Sequence, residues 1–263
     1  MGSDVPAPST VVGRNALHAF AGPRRGVSID CDRGESAAQA PAGWEQEELL
    51  GAEAMSKTKE RIVDTALELF NESGSGAVST NHIAAAMNIS PGNLYYHFGN
   101  KDQIVAAVFD RLEAALAVIW DQKGQQGWEG AALREALVES LTIFSDYRFV
   151  VRELGALSVH SRLLKERSGG LLEWLAGTMH AVVERQIREQ WLRDPGGIGA
   201  ARRLSEAMLA VLLSAIPLSE LRGTQEDPAF AVESADLVLS VLFPYQLVAA
   251  PARPKAQGAT APA

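Results

Sequence analysis

One cysteine, Cys31, is all that this 263-residue chain contains, which excludes an intramolecular disulfide and any multi-cysteine metal site. No unbroken run of about 18 apolar residues occurs, the length a membrane-spanning helix needs. The N-terminal stretch has no apolar signal-peptide core, because Val11-Val12 runs into Arg14 within two residues. Pro6 stands where a myristoylation signal wants Ser or Thr. Enzyme signatures are missing as well: there is no Ser-His-acid spacing, no Gly-rich phosphate loop, and no cysteine beyond residue 54. His160 and His180 fall on different expected helices without carboxylate–histidine spacing, so no metal and no cofactor are expected, and no catalytic residue is assigned. Basic charge is also short. The formal net charge of −8 argues against a nonspecific polyanion binder but leaves a specific one open, because local charge at the contact surface decides. A cytoplasmic protein with no membrane partner is the expectation.

What is present is helical periodicity. The apolar content of 47% is enough for a sizeable core, and 263 residues leave room for one large domain or two modest ones. Residues 1–54 carry Pro6, Pro8, Pro23 and Pro41, repeated glycines and scattered charge, a composition that reads as a disordered extension. The texture changes at Met55, which reads as an alternative start; a short acidic helix over Trp44–Leu50 is a minor alternative within the extension. From Thr58 an apolar stripe of Ile62, Ala66, Leu69 and Phe70 predicts a first helix, stopped by Gly74 and Gly76. Ser79-Thr80-Asn81 offers N-cap oxygens to a second helix that faces Ile83, Ala84 and Met87 inward. Asn88 falls at a tight turn, where asparagine tolerates a left-handed backbone, and Pro91 suits the first turn of a third helix. These pieces predict a helix-turn-helix over 79–98.

Further helices are expected from Lys101 to about Gly124, then over roughly 130–146, 147–166, 169–193, 199–222 and 229–247. The breaks are set by Gly169-Gly170, Pro195-Gly196-Gly197 and Asp227-Pro228. No alternating β-branched stretch appears, so the fold class is all-α, and Ala249 to Ala263 reads as a disordered tail. The third helix carries the most distinctive surface. Leu94 and Phe98 share one face, while Asn93, Tyr96 and His97 share the other with Tyr95 on its flank. Such a face suits a surface rich in donors and acceptors, as a DNA groove lined by phosphates is.

Residues 56–101 resemble the DNA-binding domain of the TetR (tetracycline-repressor-like, TetR/AcrR) family of bacterial transcription regulators. The resemblance rests on Arg61-Ile62-Val63-Asp64-Thr65-Ala66-Leu67-Glu68-Leu69-Phe70, then Gly76, then Ser79-Thr80-Asn81-His82-Ile83-Ala84, and finally Ile89 to Lys101 with Leu94-Tyr95-Tyr96-His97-Phe98 at its centre. It implies an N-terminal three-helix helix-turn-helix domain (55–102) followed by a larger helical effector-binding and dimerisation domain (103–248). It also implies a homodimer whose two recognition helices enter successive major grooves of a pseudo-palindromic double-stranded operator, released by a small-molecule effector. Two positions depart from the family pattern. Gly99 stands where a basic residue is common, and Asn88 where glycine is.

The candidate DNA-binding residues are Thr80, Ser90, Pro91, Gly92, Asn93, Tyr95, Tyr96, His97 and Lys101. Asn93 is placed for base edges or phosphate, Tyr95 for a phosphate hydrogen bond or packing on the second helix, and Tyr96 for sugar or a thymine methyl. His97 is a phosphate donor or a solvated histidine. Thr80 is assigned capping, a phosphate bond, or both, and Lys101 the phosphate backbone. In the C-terminal half, Phe144, Tyr147, Arg152, Trp174, Met179 and Met208 are the candidates to line an effector cavity, with ordinary core as the alternative for each. Two stripes, Leu204, Met208, Val211, Leu212 and Ala215, and Ala231, Ala235, Val238, Leu242 and Tyr245, are candidates for a four-helix dimer interface or for intrachain packing. Residues 55–103 hold Lys57, Lys59, Arg61 and Lys101 against Glu60, Asp64, Glu68, Glu72 and Asp102. That balance keeps a protein-interaction module with weakened DNA reading as the alternative function; an enzyme is not expected.

Overall fold

The computed structural model describes residues 44–128 and 131–247. In order, the helices among them are α1 (Trp44–Ser73), α2 (Thr80–Ala86), α3 (Pro91–His97), α4 (Lys101–Gln126), α5 (Ala132–Asp146), α6 (Arg148–His160), α7 (Arg162–Arg188), α8 (Ala200–Arg222) and α9 (Phe230–Ser240), with a 3-10 turn at Phe243–Tyr245. No strand occurs among the described residues beyond an isolated bridge between Leu192 and Gln246. The expected disorder of residues 1–43 and 249–263 lies outside the described residues, as does Cys31. Residues 44–54 differ from expectation, because they form the first turns of α1. The stretch is rich in Glu, Leu and Ala, which lose little side-chain freedom in a helix, and it extends a helix already nucleated by the residues after it.

Local chemistry explains the first three helices. α1 buries Ile62, Val63, Ala66 and Phe70 and ends at Gly74, whose φ of 79° is the left-handed conformation that closes a helix. The Ser79 hydroxyl accepts from His82 N at 3.2 Å while His82 Nδ1 accepts from Ser79 N at 3.4 Å, a capping box in which histidine takes the usual Glu or Gln position. Asn88 sits at φ 55°, the left-handed turn expected of it. Ser90 then caps α3 by accepting from Asn93 N at 3.2 Å, with Pro91 in the first turn. Asn100 caps α4 through Gln103 N at 3.0 Å.

Three helix boundaries differ from the expectation, the first through tertiary packing and the other two through local chemistry. α7 runs unbroken through Gly169-Gly170. The glycine pair costs roughly 2 kcal/mol against alanine, but Leu164, Leu171, Leu175, Met179 and Val182 bury one continuous stripe, each worth about 1.5–3 kcal/mol. The break falls earlier, at Ser161, whose hydroxyl caps α7 by accepting from Leu164 N at 3.3 Å. The last helix stops at Ser240 rather than 247, because Pro244 lacks an N–H and disfavours helical backbone in the residue before it.

A single core joins α1 through α9, from Ile62 to Leu242. α8 is long and apolar enough over 18 residues to cross a membrane by length and composition, yet Leu204, Met208, Leu212 and Ile216 are buried in this core. The two stripes considered for a dimer face are therefore mainly intrachain: Leu204, Met208, Leu212, Ala215, Ala235, Val238 and Leu242 are all buried within the chain. The apolar residues that α8 and α9 expose are others, Leu218, Leu221, Val232 and Leu237.

Candidate nucleic-acid interface

α3 is held by two buried anchors, Leu94 and Phe98, which fix the direction of everything else on it. Asn93, Pro91, Gly92, Tyr95 and Tyr96 are exposed, Tyr95 by 50% and Tyr96 by 71%. Two neighbouring tyrosines this exposed on a seven-residue helix are unusual for a surface with no partner, since each leaves a large apolar ring in water. His97 is half-buried, its ring edge-on to Tyr96 at 5.4 Å. The middle of α1 lies against the same helix: the Tyr96 hydroxyl donates to Met55 Sδ at 3.8 Å, and Lys59 Nζ stands 5.3 Å over the Phe98 ring.

Several side chains depart from the roles assigned to them. Ser79, not Thr80, caps α2. The Thr80 hydroxyl instead meets the Tyr95 hydroxyl at 3.1 Å, pairing α2 with the flank of α3. Ser90 spends its hydroxyl on its own helix. Lys101 turns away from the α3 face altogether: Nζ donates to Ser75 O at 2.8 Å and Val78 O at 3.2 Å, so the charge expected at phosphate closes the α1–α2 loop onto α4. The loop's carbonyls would otherwise lack donors, and the lysine is short of solvent there.

The same loop is gripped from the helical body. Both Glu153 oxygens, on α6, accept from Ser75 N at 3.1 and 3.2 Å, and Ser75 Oγ donates to the same carboxylate. Arg152 donates to Glu220 at 3.1 Å and to Phe70 O at 3.1 Å, with Glu153 at 3.4 Å, which links α1, α6 and α8. Asn71, nearly buried, donates to Asp146 O at 2.7 Å and accepts from Phe149 N at 3.1 Å, and the Phe70 and Phe149 rings meet at 5.0 Å. Asn71 and Ser75 carry no sequence signal for this task, because their partners lie more than 70 positions away. Arg152 belongs to this junction and not to an effector cavity.

Of the other effector-cavity candidates, Phe144, Met179 and Met208 are fully buried in the core, and Tyr147 is half-buried. Burial pushes the Tyr147 phenol above its ordinary pKa, with Arg111 opposing. Trp174 lines a cleft of about 500 Å³ between α4 and α7, together with Glu113, Ala114, Ala117, Arg167 and Gly170. Helix spacing in the sequence places those residues on α4 and α7 but gives no indication that the two faces meet. No cluster of three or more His, Cys, Asp or Glu side chains fit to hold a metal occurs among the described residues.

Comparison with known proteins agrees with this geometry. The family model for bacterial regulatory proteins of the tetR family matches residues 62–108. The HTH-type transcriptional regulator UidR of Escherichia coli K12 is 33% identical over 98 residues, covering 37% of this chain and 47% of UidR. The chain thus spans about half the length of the curated relatives it matches. A TetR-family transcriptional regulator from Marinobacter aquaeolei VT8 superposes with a TM-score of 0.63 at 23% identity, covering 73% of this chain and 92% of that one. SmeT of Stenotrophomonas maltophilia, solved in complex with triclosan, superposes with a TM-score of 0.54 at 20% identity, covering 73% and 93%. These neighbours share the fold along the helical body, and the relatives named for activity are transcriptional regulators rather than enzymes. The helix-turn-helix, matched in sequence over residues 62–108, is thus of the tetR family of bacterial regulatory proteins, and the helical body shares the fold of solved TetR-family regulators.

Proposed function

We propose that this chain is a dimeric transcriptional repressor that binds a pseudo-palindromic operator through α3 and leaves it when a small molecule occupies the helical body. The observation that carries the reading is the outward face of α3, where Asn93, Tyr95 and Tyr96 are exposed while Leu94 and Phe98 anchor the helix. Tyr95 with Thr80 supplies paired hydroxyls for the phosphate backbone, and Asn93 and Tyr96 supply base-edge and methyl contacts. Residues 55–102 read DNA in this scheme and 103–248 sense the effector and dimerise. The dimer face is the outer surface of α8 and α9, where Leu218, Leu221, Val232 and Leu237 are exposed. SmeT, with the same fold, has been solved with a small molecule, triclosan, which supports an effector in the body.

Few cations surround α3, since Lys101 is internal and Lys59 lies over Phe98. Affinity then depends on hydrogen bonds and on two half-sites more than on long-range charge, and its salt dependence is shallow. The test is binding of the purified chain to the DNA upstream of its own gene, followed by fluorescence anisotropy at several salt concentrations. Tyr95→Phe with Tyr96→Ala weakens binding by roughly a hundredfold, at about 1–3 kcal/mol per lost contact, while leaving the fold intact. Affinity unchanged in that double variant removes the proposed recognition helix.

A further inference from the structure

The methionines stand at positions 1, 55, 87, 179 and 208, and the four among the described residues divide sharply by exposure. Met87 is 9% exposed and Met179 and Met208 are fully buried, whereas Met55 on α1 is 48% exposed. Oxidation of a thioether follows its access to solvent, so Met55 carries the reactive sulfur among these four. Its neighbour makes that reactivity matter. Met55 Sδ accepts from the Tyr96 hydroxyl at 3.8 Å, and Tyr96 belongs to the outward face of α3.

Thioether sulfur is a weak acceptor, so this contact holds the hydroxyl loosely and leaves it free to turn to a phosphate or a base edge. A sulfoxide changes the balance, because oxidation converts an apolar side chain into a polar one with an oxygen acceptor. Oxygen adds at one of the two sulfur lone pairs, and the Tyr96 hydroxyl already faces the sulfur. The 3.8 Å separation accommodates an S–O bond of about 1.5 Å followed by a bent O–H···O hydrogen bond of about 2.7 Å. Of the two sulfoxide epimers, one turns its oxygen toward Tyr96 with little movement of either side chain.

We propose that Met55 is a site of reversible oxidation by a hydroperoxide, and that its sulfoxide captures the Tyr96 hydroxyl. In this step a sulfur lone pair attacks one peroxide oxygen, and the S–O bond forms as the O–O bond breaks. With hydrogen peroxide the proton on the attacked oxygen passes to the departing hydroxide and gives water. Sulfur loses two electrons and the peroxide gains them. A methionine sulfoxide reductase reverses the change, two thiols becoming a disulfide as the oxygen leaves as water. The consequence for DNA, loss of the Tyr96 contact, rests on the reading of α3 as the recognition helix; the oxidation and the capture do not.

The test uses the full chain with Cys31→Ser, so that no thiol answers the oxidant. Peptide mass spectrometry after mild hydrogen peroxide treatment finds Met55 oxidised ahead of Met87, Met179 and Met208. Capture is read without DNA: amide hydrogen exchange over residues 56–60 slows about threefold on oxidation, and Tyr96→Phe abolishes the slowing. Binding to the DNA upstream of the chain's own gene, followed by fluorescence anisotropy, weakens about tenfold on oxidation. It recovers after treatment with reductases for both sulfoxide epimers, and in Met55→Leu it does not respond to peroxide. Oxidation spread evenly over the methionines, an exchange response that survives Tyr96→Phe, or DNA affinity unchanged by oxidation at Met55 overturns the proposal. A chain in which oxidised Met55 captures Tyr96 but which binds no DNA in either state loses the regulator reading alone.

Discussion

Glu153→Ala probes the junction through which the helical body holds the helix-turn-helix. The substitution takes away the carboxylate that accepts from Ser75 N and Ser75 Oγ, and the partner that Arg152 meets at 3.4 Å. Ser75 is only 8% exposed, so its N–H is left largely without water. An unsatisfied buried donor costs about 1–3 kcal/mol, and a lost charge-assisted hydrogen bond adds a similar amount before solvation of the freed groups offsets part of it. A net cost of about 2–3 kcal/mol falls on the docked state of the α1–α2 loop, which raises its opening roughly 30- to 150-fold. Hydrogen exchange at the Ser75–Val78 amides of the full chain reads this directly, with urea unfolding run alongside to separate local opening from global loss. Glu153→Gln keeps the shape and one acceptor oxygen, and its effect is less than half as large. If Glu153→Ala folds and Ser75 exchange changes by no more than about twofold, the junction does not depend on Glu153 and the reasoning fails.

Other consequences can be checked independently. Lys101→Met, which unpairs Ser75 O and Val78 O, lowers unfolding free energy by about 1–2 kcal/mol and leaves the salt slope of DNA binding unchanged; a slope smaller by about 0.9 per site would instead put Lys101 on phosphate. Gly74→Ala is destabilised by about 1–2 kcal/mol, because φ is 79° and the new Cβ stands 3.0 Å from Glu153 Oε1, whereas Gly76→Ala, facing open space, is near neutral in the same melting experiment. Burial raises the Asp146 carboxyl above its ordinary pKa, with Arg148 opposing, so its charged form is disfavoured in the folded chain. That penalty is complete above the raised folded-state pKa and disappears as pH falls through it toward the unfolded value. Asp146→Asn is accordingly at least as stable as the parent at neutral pH and loses the advantage on acidification; a difference that grows with acid refutes the assignment.

The helix-turn-helix was legible in the sequence because its determinants lie within a few residues of one another. Ser79 with His82, Asn88 at its left-handed turn, and Ser90-Pro91 at the start of α3 are local chemistry, and the Leu94/Phe98 pair orients α3 by period alone. Even there the period fixes faces, not partners. Lys101 sits where expected along the chain, yet its charge goes to two carbonyls more than 20 residues back.

Local sequence therefore determined the all-α class, the caps and turns, and which residues α3 presents. Tertiary structure alone decided that α7 continues through Gly169-Gly170, that the stripes on α8 and α9 close the chain's own core, and that Asn71 and Ser75 meet α5 and α6. It also decided that Ala114, Gly170, Glu113 and Trp174 border one cleft. The physical reason is range. Capping and backbone strain act over one turn and are set by neighbouring residues, whereas helix-on-helix packing is chosen by the burial of whole faces contributed from distant parts of the chain.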